Sequence, residues 1–264
     1  MAATDLTTLA DVKSWLGRTD TNSDALLASL VTRASRAICS WLQRPLLLPH
    51  GVSETHTGTG GSVLVLKEWP VLSVSSVVVD GLAIPQAARQ SPGWALDAWN
   101  GVPPGRMQAL RLRGYLFGGP VEVTYEAGYR VTAEPHVVLD EQVEATAPYG
   151  PWASDEGVTY ASGTALIATT GNPTAGQYAL DSIAGIYDFS AGDLAATVLF
   201  SYGFVPYDLA DACIELVAER YRYAQRIGEK SHSLGGNETV AFDTTRFTPL
   251  VMQLLQPYRN IPPL

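Results

Sequence analysis

The spacing of apolar residues changes period several times along the chain, and each change predicts a different element. In TTLADVKSWLG, Leu9, Val12, Trp15 and Leu16 recur at helical intervals, Thr8 can cap with Asp11 three residues on, and Gly17 stops the run. This predicts a short amphipathic helix. TDTNSDALLASLVTRASRAICSWLQRP predicts a long one, capped near Thr21 or Asn22, with Leu27, Leu30, Val31, Ala34, Ile38, Trp41 and Leu42 on one stripe and Pro45 ending it. From Val52 to Tyr129 the period falls to two, with turns expected at Asp80-Gly81, Pro103-Pro104-Gly105 and Gly118-Gly119-Pro120, so a small antiparallel sheet is expected. Residues 136 to about 203 again read as strands and turns. Helical spacing returns in PYDLADACIELVAERYRYAQRIG, where Pro206 suits the first turn, Asp208 and Asp211 sit near the positive helix end, and Gly228 closes. A last helix is expected from Thr248-Pro249 through Leu254 and Leu255 to Pro257, before the tail YRNIPPL.

Two strand endings resemble each other. VEVTYEAGY at 121–129 and TVLFSYGF at 197–204 both alternate apolar and polar residues and finish on glycine plus an aromatic, Gly128-Tyr129 and Gly203-Phe204. Only the second runs straight into a helix. The expected fold is therefore α+β: a small helical frame of two N-terminal helices and a long and a short C-terminal helix, carrying an antiparallel sheet, plus an inserted all-β domain. Residues 1–130 and 204–264 would form the core and 131–203 the insertion.

Composition narrows the function classes. Charged residues are 16% of the chain, below the usual ~25%, and 46% are hydrophobic, as in a protein whose surface is partly covered by partners. The net charge of −9 argues against a general nucleic-acid binder. Cys39 and Cys213 fall on apolar helix positions and are expected to be buried free thiols. The opening MAATDLTTLADVK has neither a basic nor an apolar signal region, and no apolar run is long enough for a membrane span, so synthesis in a cytoplasm is expected.

Candidate chemistry is sparse. The glycine run TGTGGS at 57–62 is followed by a strand pattern and by no Lys-Ser/Thr pair, so it reads as a hairpin turn and not as a phosphate loop. His50, His56, His136 and His232 show no metal-ligand spacing, and Ser, His and Asp are not ordered into a triad. Neither metal nor cofactor is expected, and no catalytic residue is assigned. Adjacent carboxylates such as Asp140 and Glu141 point to opposite sides of a strand. Trp94 and Trp99 could stack a sugar or fill a core. Arg33, Arg36 and Arg44 on one helix, and Arg220, Arg222 and Arg226 on another, either form solvated faces or meet acidic neighbours in an assembly.

Taken in order, LADVKSWLGRTDTNSDALLASLVTRASRAICSWLQRP, LKEWPVLSVSSVVVDG, VTYEAGY, VPYDLADACIELVAERY and LLQPYRN resemble the head-to-tail connector (adaptor, or head completion) proteins of long-tailed bacteriophages. The likeness covers residues 6–130 and 205–260. It departs where about seventy residues separate VTYEAGY from VPYDL, and that segment resembles a β-sandwich-like module of phage structural proteins. The resemblance implies a structural virion protein, not an enzyme. It implies a ring of twelve copies that binds the portal and gives the tail-side stopper or terminator its platform. Double-stranded DNA would pass through an acidic channel without being held. The resemblance also implies terminal arms, which here points to Tyr258, Arg259, Asn260, Ile261, Pro262, Pro263 and Leu264 as contacts to portal or neighbouring subunit. A frayed end is the other reading of that tail. The competing function is a virion-associated glycan-binding or glycan-hydrolysing β protein.

Overall fold

The computed structural model describes residues 5–89, 91–181, 185–223, 231–233, 239–241 and 247–260. The chain divides into two compact units. One takes the described residues of Met1–Pro45 and Tyr207–Ile261, the other those of Leu46–Pro206.

The first unit holds every α-helix described. α1 (Leu9–Trp15) begins on the predicted capping box: the Asp11 amide donates to the Thr8 hydroxyl at 3.0 Å, and the Thr8 amide donates to the Asp11 carboxylate at 3.3 Å. Two of the orphan amides of the first turn are thereby satisfied. α2 (Asp24–Leu42) starts after Ser23, slightly later than expected, and ends on Gln43 in the left-handed conformation, two residues before Pro45. α3 (Tyr207–Tyr223) follows Pro206, and α4 (Pro249–Leu255) is capped by the Thr248 hydroxyl. Leu27, Val31, Ala34, Ile38 and Leu42 of α2 meet Leu209, Ala212, Cys213, Leu216 and Val217 of α3 in the interior. Both cysteines are buried free thiols, with Cys213 Sγ 3.5 Å from the Ser35 hydroxyl.

The second unit is built of strands, with one turn of 3-10 helix at Ala191–Asp193. β1 (His50–Gly61), β2 (Val63–Val65), β3 (Val71–Val79), β4 (Leu82–Ala83), β5 (Gly93–Leu96), β6 (Ala109–Arg113) and β7 (Phe117–Ala127) form two sheets, ordered β1-β7-β3-β4 and β2-β6-β5. They share one core. β7 shows why: Phe117, Val121, Val123, Tyr125 and Ala127 point inward while Glu122 and Thr124 point out, the alternation of a half-buried strand. Trp94, Leu110, Leu112 and Leu66 pack against them from the other sheet.

β8 (Arg130–Val137), β9 (Gln142–Glu144), β10 (Trp152–Tyr160), β11 (Ile167–Thr169), β12 (Gln177–Leu180), β13 (Ile186–Phe189) and β14 (Thr197–Phe204) make two more sheets, β10-β14-β8 and β11-β12-β13-β9. Phe200 of β14 stacks on Tyr187 at 4.2 Å and on Phe189 at 6.0 Å, both from β13, so these sheets also face each other across an aromatic core. β15 (Ser231–Ser233) and β16 (Thr239–Ala241) form a separate two-stranded ladder before α4.

The expected fold class is corrected by this arrangement. The chain is predominantly β, and the strands of 50–127 do not belong to a helical frame with a separate all-β domain inserted in it. They share one compact unit with the strands of 130–204. The junction accounts for the joining: the Tyr129 ring lies 5.7 Å from Phe204, the Phe204 amide donates to the Tyr129 carbonyl, and Gly203 leaves no room for a side chain against Pro49 and Ser154. The two similar endings are thus brought side by side, with Arg130 paired to Gly203. Two expected turns are also corrected. TGTGGS lies mostly in β1 and Gly118–Pro120 in β7, where Gly58 pairs with Gly119 and a Cβ on Gly58 would fall 2.2 Å from the Phe117 carbonyl. Glycine here serves close strand approach, not reversal.

Candidate interaction surfaces and buried polar centres

The arginines of the helical unit are placed differently from one another. Arg33 and Arg36 are exposed on α2, while Arg44 is only 1% exposed. Arg222 is exposed and Arg220 half-buried on α3; Arg226 lies outside the described residues. Arg18, not singled out by the sequence, stacks over the Tyr221 ring at 5.3 Å, and Lys13 bridges to Asp24 at 2.7 Å, fastening α1 to α2.

The start of the tail is held in place. Tyr258 is 1% exposed and donates to the Asp208 carboxylate at 2.9 Å. The Arg259 guanidinium lies over Trp41 at 5.1 Å, and the Asn260 amide donates to the Leu42 carbonyl at 2.9 Å. Tyr258 to Asn260 therefore cover the end of α2. Ile261, Pro262, Pro263 and Leu264 lie outside the described residues.

The sequence reading missed two polar centres in the β unit. In the first, Glu54 on β1 accepts from the Tyr125 phenol on β7, from the Lys67 amide at 3.1 Å and from His56 at 2.6 Å. In the second, Glu134 on β8 accepts from the Tyr202 phenol on β14 and from the Thr146 amide at 3.0 Å, with His136 Nε2 lying 3.2 Å from its carboxylate. Each sits beside one of the two similar strand endings. The signal was present as Glu-x-His, written twice as ETH and EPH. Among the described residues no group of three or more His, Cys, Asp or Glu is placed to hold a metal.

The second centre makes stability sensitive to acid. Burial alone would raise the Glu134 carboxyl, but hydrogen bonds from Thr146 and Tyr202 outweigh it and hold the group below the ordinary glutamate value. A carboxyl depressed in the folded chain stabilises it fully above the unfolded value of ~4.3 and loses that contribution as pH falls through the lower folded value. Glu134→Gln is expected to lower stability at pH 7 by about 1–2 kcal/mol. It should also flatten the acid limb of urea midpoint against pH. An acid limb identical to wild type would show that Glu134 carries none of it.

Two surfaces contrast in charge. On β6, Leu110 and Leu112 are buried, so Arg111 and Arg113 stand on the outer face, where Arg111 is registered with Val63 and Ala95. Arg111 forks onto Asp97 at 2.8 and 3.4 Å, whereas Arg113 and Arg106 donate to the backbone carbonyls of Arg89 and Ala98. From 89 to 113 the chain has four arginines and one carboxylate, Asp97. From 130 to 206 it has nine carboxylates and one basic residue, Arg130, which pairs with Glu126 at 3.0 Å. Trp94 is buried in the core and Trp99 half-buried beside a cleft of about 490 Å³, so they do not form one exposed platform.

No family model matches the chain, and no curated protein matches it. A chain of the solved structure described as "Neck of empty GTA particle computed with C6 symmetry" is similar to it over 98% of this chain and 92% of that one, at 20% identity and a TM-score of 0.42.

Proposed function

We propose that the protein is a structural subunit of a phage-type neck, a head-to-tail connector that assembles as a ring between portal and tail and lets DNA pass through it. The observation that supports this most is the way the two ends of the chain meet. The helix pair near the start (α1, α2), the VPYDLADACIELVAERY helix (α3) and LLQPYR fold into one unit, although the first and the others are about 160 residues apart. Those are the helical segments among the ones whose order resembles the connector family; LKEWPVLSVSSVVVDG and VTYEAGY lie in the β unit. The unit also exposes large apolar side chains, Trp15, Leu26, Tyr207, Leu250 and Met252.

In this reading the protein is not an enzyme. It binds the portal on one side and a stopper or tail terminator on the other, as a ring of twelve copies in the virion. Mixing the full chain with a portal protein, followed by light scattering and negative-stain microscopy, tests it. A ring complex with portal is the expected result. A chain that stays monomeric with portal and instead binds or cleaves glycan overturns it.

A further inference from the structure

In the second β pair, Val137 and Leu139 lie on the same side of the chain, opposite the buried Val138, and are 46% and 84% exposed. Val138 exchanges backbone hydrogen bonds with Ala195 and Ala196, which brings Leu194, 46% exposed, to the same edge. Asp140, Glu141 and Glu144 follow directly and are all exposed. The result is an apolar centre with an acidic rim. The face of β6 is its counterpart: Val63, 44% exposed, is registered with Arg111, Arg113 stands two residues on along the same strand face, and Arg106 and Arg89 are exposed in the loops that lead into β6 and β5.

We infer that these two surfaces dock on one another between copies of this chain, the acidic edge around Leu139 on one copy meeting the arginine face around Val63 on the next. The inference rests on the ring reading above and names a contact within it. Interfaces of this kind join an apolar centre through a polar rim. Because the two surfaces differ, the contact is head-to-tail, the type that closes into a ring when its rotation permits. Opposite charge fixes the orientation and speeds encounter, and salt weakens it. Like-charged pairings, acidic edge on acidic edge or arginine face on arginine face, are disfavoured, so the same chemistry excludes a two-fold dimer through either surface.

Sedimentation velocity of the full chain at ~50 and ~500 mM salt is the test, since screening lengths shrink across that range. Asp140→Lys with Glu141→Lys, and separately Arg106→Glu with Arg113→Glu, are each expected to weaken self-association about tenfold. Combining all four in one chain should restore it, and Leu139→Asn should weaken it at both salt concentrations. All five positions are exposed, so far-ultraviolet circular dichroism is expected to be unchanged. A wild-type assembly indifferent to both reversals, or a four-fold variant no better than either pair, overturns this contact and leaves the ring reading standing. A wild-type chain that is monomeric at every concentration also overturns it, and the portal-mixing experiment then decides the ring separately.

Discussion

Gly128→Ala is expected to destabilise the β unit by about 3–5 kcal/mol, read as a shift in the urea unfolding midpoint. Two independent costs meet at this position. Its φ of +136° lies in a region that L residues rarely adopt, and an added Cβ would fall 2.4 Å from the carbonyl group of Leu48. That neighbour is backbone, which cannot swing aside. The Gly128 amide also donates to the Pro70 carbonyl at 2.9 Å, and the Tyr129 amide to Leu47, so the segment is held between two chains and has nowhere to move. A control exists at Gly51, where an added Cβ meets nothing within 4 Å and alanine should be nearly neutral. Equal stability of the Gly128 and Gly51 variants would mean the close approach at Leu48 costs nothing.

Tyr258→Ala is expected to cost the helical unit about 3–5 kcal/mol, the range for deleting a buried aromatic. The ring is enclosed and its hydroxyl pairs with Asp208, so truncation leaves both a cavity and a carboxylate without its donor. Removing everything after Gln256 should be worse, because Arg259 over Trp41 and Asn260 on Leu42 go as well. Removing only 261–264 keeps every one of those contacts. Thermal unfolding followed at the helical circular dichroism band separates the two truncations. If the longer one melts like wild type, Tyr258 is not a core residue in solution.

Local signals were readable where the chemistry is local. Thr8 and Asp11 announced the capping box of α1, and Thr248-Pro249 announced the start of α4, because a cap and its partner lie within one helical turn. Asp80-Gly81 was readable as the turn between β3 and β4 for the same reason, since both residues carry the positive φ such a turn requires. Glycine misled where its role was non-local. Gly58 and Gly119 read as turn residues in isolation, and only their partnership across β1 and β7 shows what they do.

The grouping of strands was the least legible feature. Nothing within 117–137 states that β7 and β8 belong to different sheets yet one unit; that follows from Tyr129 meeting Phe204 and from Gly203 meeting Pro49, contacts far apart in sequence. The candidate surfaces show the same division. RLR at 111–113 carries the alternation that puts two arginines on one face, but only the register with Val63 and Ala95 places an apolar centre beside them. Tyr258 was placed in a terminal arm by the family resemblance; its partner Asp208 is 50 residues away, out of reach of any local pattern.

The folding of both chain ends into one helical unit also sets an order of events during synthesis. α1 and α2 leave the ribosome first, yet their apolar faces are completed only by α3, whose Tyr221 meets Ser23 across 198 residues and whose Cys213 meets Ser35 across 178. At ~5–20 residues per second, roughly ten to thirty seconds pass between the two. The β unit can close in that interval, since all its strands have emerged before α3. The helical unit cannot, and a polypeptide released early, anywhere before Tyr207, would carry a finished β unit with two unpaired helices. Only the completed chain has the finished helical unit, so an early stop removes that unit while leaving the β unit intact.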